Sequence, residues 1–318
     1  MAKNKIQMQK GLSLDQFTDI YGTEEQCEAA VEKSKWPIGY CCAKCGADNP
    51  YTYRKGSVKV FQCRSCRKQV TLTEGTIFHS TKLPLRKWFQ AMFFDSQSKN
   101  NISALEIMRL INVCYRTAWR LKHKLMQVMY ERESTTKLSG IVEVDDAYLG
   151  GELPGGKSGR GSENKTPFIA AVQTNSSGNP VYAVFSQVKS FCLDEVSYWA
   201  KEFLVPGTVV VSDGLNCFPG VTDAGCFHHR EIVGKNRKST DMDCFKWINT
   251  ILGNLKTAAS GTFHAFNFEK YGYRYLGEAQ YRFNRRFDLK TILPRFIVAA
   301  AQTGARPERF LRLSEDRH

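Results

Sequence analysis

The sequence predicts an α/β fold for the second half of the chain, a mixed sheet flanked by helices, with smaller modules in front of it. Apolar stretches separated by turn-forming residues indicate three strands joined by hairpins. Helical and strand-like stretches then alternate, as in a layered sheet that carries helices. The predicted segments are strands 141–147, 167–174, 180–187, 208–212 and 226–233 and helices 192–204 and 241–258.

Length, charge and hydropathy limit the class of protein. The 318 residues suffice for about two domains, and a net charge of +14 most often accompanies nucleic acid or another anionic partner. No apolar run reaches the roughly 18 residues that a membrane span requires, so we expect no membrane partner and a cytoplasmic location. In a reducing cytosol, the 11 cysteines are expected to bind metal or to pack as small core residues.

Residues 12–34 predict the first helices. Apolar side chains recur two to three residues apart through Ile20, and Thr23 can open a second helix. Trp36-Pro37 then breaks the helical pattern. We therefore expect an N-terminal helical segment over residues 1–35.

Two cysteine pairs follow these helices. Cys42 and Cys45 are separated by two residues, and after 17 further residues the same spacing recurs at Cys63 and Cys66. Each pair bends the chain so that two thiolates point at one ion, and Gly46 permits the tight turn after the first pair. The pattern predicts a zinc ribbon with one structural Zn²⁺; four ordinary core cysteines are the alternative.

The predicted ribbon, residues 36–80, is basic. Its cations occur beside aromatic residues with no acid between them, which favours contact with DNA phosphates, and Arg64 and Arg67 are the candidate contacts. A solvated surface is the alternative. The cations are Arg54, Lys55, Lys59, Arg64, Arg67 and Lys68, and the aromatic residues are Tyr51, Tyr53 and Phe61.

Residues 81–138 predict further helices and a polar linker at 131–137. Helices at 102–110 and 114–129 are split by a short turn, and the second is basic, which resembles a helix-turn-helix. A plain helical bundle with a solvated face is the alternative. The basic residues of the second helix are Arg116, Arg120, Lys122 and Lys124.

Carboxylates follow two predicted strands at the same end. Asp145 and Asp146 come late in the first strand, and Asp213 follows the apolar run 208–212. Adjacent strands with aspartates at one end can place both carboxylates on one divalent cation, and hard oxygen ligands suit Mg²⁺ or Mn²⁺. The alternative is that these aspartates cap turns. The Gly-, Ser- and Lys-rich stretch 150–165 predicts a mobile basic loop beside this site.

The predicted helix 241–258 carries two more polar residues on one face. Asn249 and Lys256 are seven residues apart, which is two helical turns. Further downstream, the stretch from Tyr275 to Phe287 combines Glu278 with several arginines.

With these residues, the chain resembles the bacterial insertion-sequence transposases that pair an N-terminal zinc ribbon with a DDE-type, ribonuclease-H-like catalytic domain. The resemblance covers roughly residues 36 to 290 and implies a catalytic domain over residues 139–318. The stretches that carry it are WPIGYCCAKCG, FQCRSC, GTIFHSTKLPLRKWFQA, VEVDDAYLGG, VSDG, the Asn249–Lys256 segment and YLGEAQYRFNRRF.

The resemblance implies roles for individual residues. It matches the first catalytic aspartate to Asp145, with Asp146 at the neighbouring acidic position, and the second to Asp213. The third acidic position falls on Asn249, which departs from a strict Asp-Asp-Glu pattern, although some branches of the family carry Asn there. The basic residue two helical turns beyond it is Lys256. An Asn carbonyl oxygen can bind Mg²⁺, but it brings no charge.

Glu278 is the carboxylate that could supply this missing charge. Its alternative role is an ion pair with Arg282 one helical turn later. The resemblance also makes Lys256 a candidate to hold a DNA phosphate, and it adds Arg282, Arg285 and Arg286 as further phosphate contacts.

The function that the resemblance implies is DNA transposition. The protein would bind the terminal inverted repeats of its insertion sequence, cleave DNA with Mg²⁺ or Mn²⁺, and join the freed end to target DNA, acting as a homo-oligomer on DNA. Asn249 favours one alternative, a catalytically inactive transposase-derived DNA-binding regulator. A ribonuclease-H-like repair nuclease is a further alternative.

Overall fold

A computed structural model describes residues 9–151, 162, 164–232, 242–263 and 266–312. The helices are α1 (Leu14–Tyr21), α2 (Glu24–Lys35), α3 (Leu85–Gln97), α4 (Ala104–Ile111), α5 (Tyr115–Glu133), α6 (Leu193–Phe203), α7 (Lys246–Ala258), α8 (Phe268–Phe283), α9 (Leu289–Gln302) and α10 (Glu308–Arg312). The strands are β1 (Pro50–Lys55), β2 (Val58–Cys63), β3 (Gln69–Thr71), β4 (Ile141–Leu149), β5 (Thr166–Thr174), β6 (Pro180–Gln187), β7 (Val209–Ser212) and β8 (Phe227–Arg230).

The chain divides into two compact units. Among the described residues, unit 1 comprises those up to Val128 and those after Arg286, and unit 2 comprises those from Met129 to Arg286. The C-terminal helices α9 and α10 belong to unit 1, where α9 packs on α2 and α3. The catalytic domain over 139–318 stays a prediction. The apolar side chains of α9 and α10 gave no sign of which partner helices they would meet.

The predicted helical segment at 12–34 is two helices, each with its own N-terminal cap. Ser13 and Gln16 cap α1 reciprocally, and Thr23 and Gln26 do the same for α2. These capping boxes satisfy backbone N–H groups that the first turn of a helix leaves unpaired. Thr23 thus marks the start of α2, as the sequence predicted.

The ribbon is a three-stranded antiparallel sheet in the order β1-β2-β3. Two residues of its basic cluster form ion pairs within unit 1. Arg54 binds Glu28 of α2 at 2.5 Å, and Lys59 forms an ion pair with Glu32 of the same helix. These pairs fasten the ribbon to α2, while Arg64 and Arg67 remain exposed.

The basic residues of α5 have intramolecular partners. Lys122, 2% exposed, pairs with Asp95 at 2.7 Å, and the buried Lys124 donates to the backbone carbonyl of Ile77 at 3.1 Å. The side chains of Arg116 and Arg120 both contact Glu308 of α10, at 3.3 and 2.8 Å. The short turn between α4 and α5 is present, but half of the predicted basic face is core. Helix α5 also runs to Glu133, so the predicted linker at 131–137 begins as helix.

Unit 2 is built on a five-stranded mixed sheet in the order β6-β5-β4-β7-β8. Strands β4, β5 and β6 are antiparallel neighbours, and β7 and β8 run parallel to β4. This arrangement confirms the predicted fold class, a ribonuclease-H-like α/β sheet flanked by helices and preceded by a zinc ribbon. The predicted strand at 226–233 is shorter than expected, and residue 233 lies outside the described residues.

Successive residues of β4 face opposite sides of the sheet. Val142 and Val144 join a core that includes α6, whereas Ala147 and Leu149 join a second core with α7 and α8. Glu143 and Asp145 alternate with the two valines, so their side chains lie on the face that α7 covers. Among the described residues, no helix is long and apolar enough to cross a membrane.

Candidate active site and metal centres

Among the described residues, two groups of side chains have the composition and spacing of metal sites. The first joins the two predicted cysteine pairs, whose sulfur atoms all lie within 4.8 Å of one another. The Sγ atoms of Cys42 and Cys66 are 3.6 Å apart, and those of Cys45 and Cys63 are 3.5 Å apart. Tetrahedral zinc with Zn–S bonds of about 2.3 Å separates its sulfurs by roughly 3.8 Å, so the four thiols fit a structural Zn²⁺.

The two knuckles have the same backbone hydrogen bonds. Gly46 N–H donates to Cys42 C=O at 2.8 Å, and Arg67 N–H donates to Cys63 C=O at 3.0 Å. Both turns require the left-handed region, with φ of 75° at Gly46 and 59° at Arg67. The N–H groups of Lys44 and Cys45 lower the pKa of the Cys42 thiol to about 6, which favours the thiolate that zinc binds.

The second group is a cluster of three carboxylates, Asp145, Asp146 and Asp213, whose oxygen atoms lie within 4.8 Å of one another. Two parallel neighbours in the sheet bring them together, because Val144 of β4 is paired with Ser212 of β7, the residue before Asp213. The structure thus brings Asp145 and Asp213 together, as the sequence predicted, and Asp146 joins the same cluster.

Hydrogen bonds hold two of these carboxylates in place. Asp145 accepts from the N–H of Asp146 at 2.9 Å, and Asp213 accepts from the N–H of Leu215 at 3.0 Å. Burial raises the pKa of Asp145 to about 7, and repulsion from Asp146 and Asp213 adds to this rise. The Asp146 N–H and the charge of Lys256 oppose it. Crowded carboxylates with a raised pKa are a donor set that a divalent cation relieves.

Helix α7 carries Lys256, whose positive charge opposes the rise in the pKa of Asp145. Asn249, two turns earlier, uses its amide Nδ2 to donate to the carbonyl of Phe245 at 2.9 Å. That bond commits the amide NH₂ to the helix and leaves the Oδ1 oxygen as the acceptor end of the side chain.

Glu143 was not singled out by the sequence, and it links the two elements of the site. Its Oε2 accepts hydrogen bonds from the backbone N–H groups of Trp247 and Ile248, at 3.1 and 2.9 Å, in the first turn of α7. Burial raises its pKa to about 7, while those two N–H groups lower it. The only sequence signal was an acid at a strand position between two buried valines.

Glu278 is fully buried on α8 and forms an ion pair with Arg282 at 3.8 Å. Its carboxylate is not part of the group that Asp145, Asp146 and Asp213 form. The structure thus gives Glu278 the ion-pair contact that the sequence offered as an alternative, and its predicted role in the site stays a prediction.

The arginines after Arg282 contact the sheet and its supports. Arg285 pairs with Glu133 at 2.5 Å and stacks on the ring of Tyr281. The guanidinium of Arg286 donates to the carbonyl groups of Val181, at 3.1 Å, and Pro180. Contact of Arg282, Arg285 and Arg286 with DNA phosphates stays a prediction, and each of these arginines already has a partner inside unit 2.

Asparagine and glutamine side chains of the same segment continue this pattern along β6. Gln280 accepts from the N–H of Phe185 at 3.0 Å, and Asn284 accepts from the N–H of Ala183 at 2.8 Å. Since β6 is the outer strand of the sheet, α8 satisfies backbone groups that an edge strand would otherwise leave open.

One further cation stands at the end of β8. Arg230 pairs in register with Ser212, and its guanidinium donates to the carbonyl of Gly214 at 2.8 Å, next to Asp213. Most of the predicted loop 150–165 lies outside the described residues. So does all of the stretch 233–241.

Two segments of the chain match transposase domain families. Residues 22–69 match a transposase zinc-ribbon domain, and residues 137–284 match an ISXO2-like transposase domain. These segments contain the four cysteines and the three clustered aspartates.

A curated relative is the uncharacterized protein in transposable element ISH50 of Halobacterium salinarum. It is 28% identical over 136 residues, which cover 42% of this chain and 44% of the relative. The chain therefore spans less than half the length of that relative. From its two matched domains, which together cover more than half of its residues, we assign the chain to the insertion-sequence transposases with a zinc ribbon and a DDE-type domain.

Proposed function

We propose that this transposase cleaves and joins DNA strands by metal-dependent phosphoryl transfer. The observation that carries the proposal is the cluster of Asp145, Asp146 and Asp213, whose carboxylate oxygens lie within 4.8 Å of one another. A divalent cation held there, Mg²⁺ or Mn²⁺, would stabilise the charge on the attacking and leaving oxygens of a phosphodiester.

Each residue of the site then has a distinct task. Asp145 and Asp213 would hold the cation, and Asp146 would supply the third carboxylate that Asn249 does not. The Oδ1 of Asn249 offers a neutral ligand or a contact to the substrate. Lys256 binds a phosphate of the DNA next to the scissile bond as a point charge.

The remaining parts of the chain would recognise and arrange the DNA. The exposed Arg64 and Arg67 of the ribbon contact the backbone of the terminal inverted repeats. Two element ends must be brought to one target DNA, so we propose that the protein acts as a homo-oligomer on DNA.

The test is strand cleavage and joining by the purified full-length protein on DNA that carries its own element ends, with Mg²⁺. Asp145→Asn and Asp213→Asn keep the side-chain shape and remove a ligand charge, so each should lower the cleavage rate by about 100-fold or more. DNA binding should persist. The matched control is Asp223→Asn, an exposed aspartate of unit 2 outside the site.

A second candidate function is a DNA-binding regulator without catalysis, which the neutral Asn249 favours. Metal-independent DNA binding with no cleavage in the wild-type protein would support it. Full cleavage activity in Asp145→Asn would contradict the catalytic assignment of the cluster.

A comparison of two variants tests which residue supplies the third carboxylate of the site. If Asp146 supplies it, Asp146→Asn should impair metal-dependent cleavage more than Glu278→Gln does. The opposite ranking would place Glu278 in the site. Asn249→Ala should reduce the rate, whereas Asn249→Glu should be tolerated because it restores the wider family pattern.

A further inference from the structure

The start of helix α7 has no cap of its own. Its N-cap residue is Phe245, whose side chain accepts no hydrogen bond, so the first N–H groups of the helix need an acceptor from elsewhere. Trp247 and Ile248 occupy the second and third helical positions, which are the ones that a capping side chain normally serves.

Glu143 of β4 is that acceptor. One of its oxygens, Oε2, accepts from both N–H groups, and the side chain is only 5% exposed. A carboxylate at a helix N-terminus also interacts favourably with the helix dipole. The hydrogen bonds therefore tie the first turn of α7 to the middle of the sheet.

These hydrogen bonds matter because of where they lie in unit 2. Glu143 precedes Asp145 by two residues on the same face of β4, and Ile248 directly precedes Asn249. The hydrogen bond between Glu143 and Ile248 thus joins the strand that carries the carboxylate cluster to the helix that carries Asn249 and Lys256.

We propose that Glu143 is a positioning residue that fixes α7, and with it Asn249 and Lys256, at the correct distance from Asp145. The catalytic part of this inference rests on the proposed function. Its structural part, the capping of α7, is tested separately.

Three variants of Glu143 distinguish the loss of its hydrogen-bond acceptor from the loss of its negative charge. Because a single oxygen of Glu143 takes both hydrogen bonds, the amide oxygen of Glu143→Gln can replace it without a negative charge. Glu143→Ala removes the acceptor, and Glu143→Asp withdraws it by one methylene. The matched control is Glu202→Ala, an exposed glutamate on α6, which packs on the opposite face of the sheet.

Two measurements are made on the full-length protein: backbone hydrogen exchange in the peptide that covers 245–252, and single-turnover cleavage with DNA affinity measured in parallel. In Glu143→Ala and Glu143→Asp, exchange at the start of α7 should accelerate at least tenfold. The cleavage rate should fall about 100-fold, since misplacement of about 1 Å costs that much, with DNA affinity little changed. Glu143→Gln should restore protection and most of the rate.

Three results would overturn the proposal. One is unchanged protection and cleavage in Glu143→Ala. Another is a Glu143→Gln protein that keeps α7 protected but cleaves as poorly as Glu143→Ala, because the charge would then be needed and not the position. The third is equal acceleration of exchange at 245–252 in Glu202→Ala. If the wild-type protein does not cleave at all, the proposed function fails, while the exchange measurement still decides whether Glu143 caps α7.

Discussion

Asn284 offers the sharpest test of the structural role of the YRFNRR stretch. Its amide makes three hydrogen bonds. The oxygen accepts from the N–H of Ala183 at 2.8 Å, and the NH₂ group donates to the C=O of Ala183 at 3.0 Å and to the carboxylate of Glu133 at 2.7 Å. Ala183 is fully buried, so Asn284→Ala would leave both of its backbone groups without this partner.

The magnitude follows from these contacts. A buried donor or acceptor that loses its partner costs about 1–3 kcal/mol. Asn284 itself is only half buried, and water can replace part of the loss. We therefore expect the free energy of unfolding to fall by about 2–3 kcal/mol in Asn284→Ala. Asn284→Asp should cost at least as much, because it places a second carboxylate against Glu133.

Urea unfolding followed by circular dichroism measures this change. With a slope of about 2 kcal/mol per molar urea, the midpoint should fall by about 1 M. The control is Asn254→Ala, an exposed asparagine of α7, which should stay within about 0.5 kcal/mol of wild type. An Asn284→Ala midpoint equal to that of the control would refute the reasoning.

Three further predictions concern the metal sites and DNA. Metal analysis should find one zinc ion per chain at the ribbon, and Cys63→Ser with Cys66→Ser should abolish it; zinc retained in that variant would exclude the site. Without divalent metal, Asp145→Asn should raise the melting temperature at pH 7.5. Because the pKa of Asp145 is raised to about 7, the cost of ionising it in the folded state grows from about pH 4 to pH 7 and is fully present at pH 7.5, so the gain should vanish near pH 4. A gain that persists at pH 4 would contradict this cause. Arg64→Ala with Arg67→Ala should reduce the slope of log affinity against log salt by up to about 1.8, and an unchanged slope would show that neither residue contacts the backbone.

Local patterns predicted the fold because buried residues recur at a regular spacing along a strand or a helix, and this spacing is visible in the sequence. The apolar alternation of β4, the turn before β6, and the paired cysteines all depend on neighbours within a few residues. Asp145 and Asp213 were predictable for the same reason, since parallel neighbours end at one edge of the sheet.

What the sequence could not supply was the identity of distant partners. Glu143 stands 104 residues before Trp247, whose N–H it accepts, and nothing in the strand pattern indicates that acceptor role. Lys122 is a basic residue in a basic helix, yet it is buried against Asp95. Charge alone suggested DNA contact for such residues, whereas their burial depends on packing that no local period encodes.

The two zinc knuckles differ at one position, and the difference has a consequence for engineering the ribbon. Gly46 and Arg67 hold equivalent left-handed positions, but only the glycine does so without steric strain. An arginine there carries a conformational cost of about 1 kcal/mol. Substituting glycine at position 67 would make the two turns alike and the ribbon more robust, while removing an exposed cation. If Arg67 contacts DNA as proposed, the stability of the ribbon and its affinity for DNA are opposed at this one residue, and the more stable glycine variant would bind DNA more weakly.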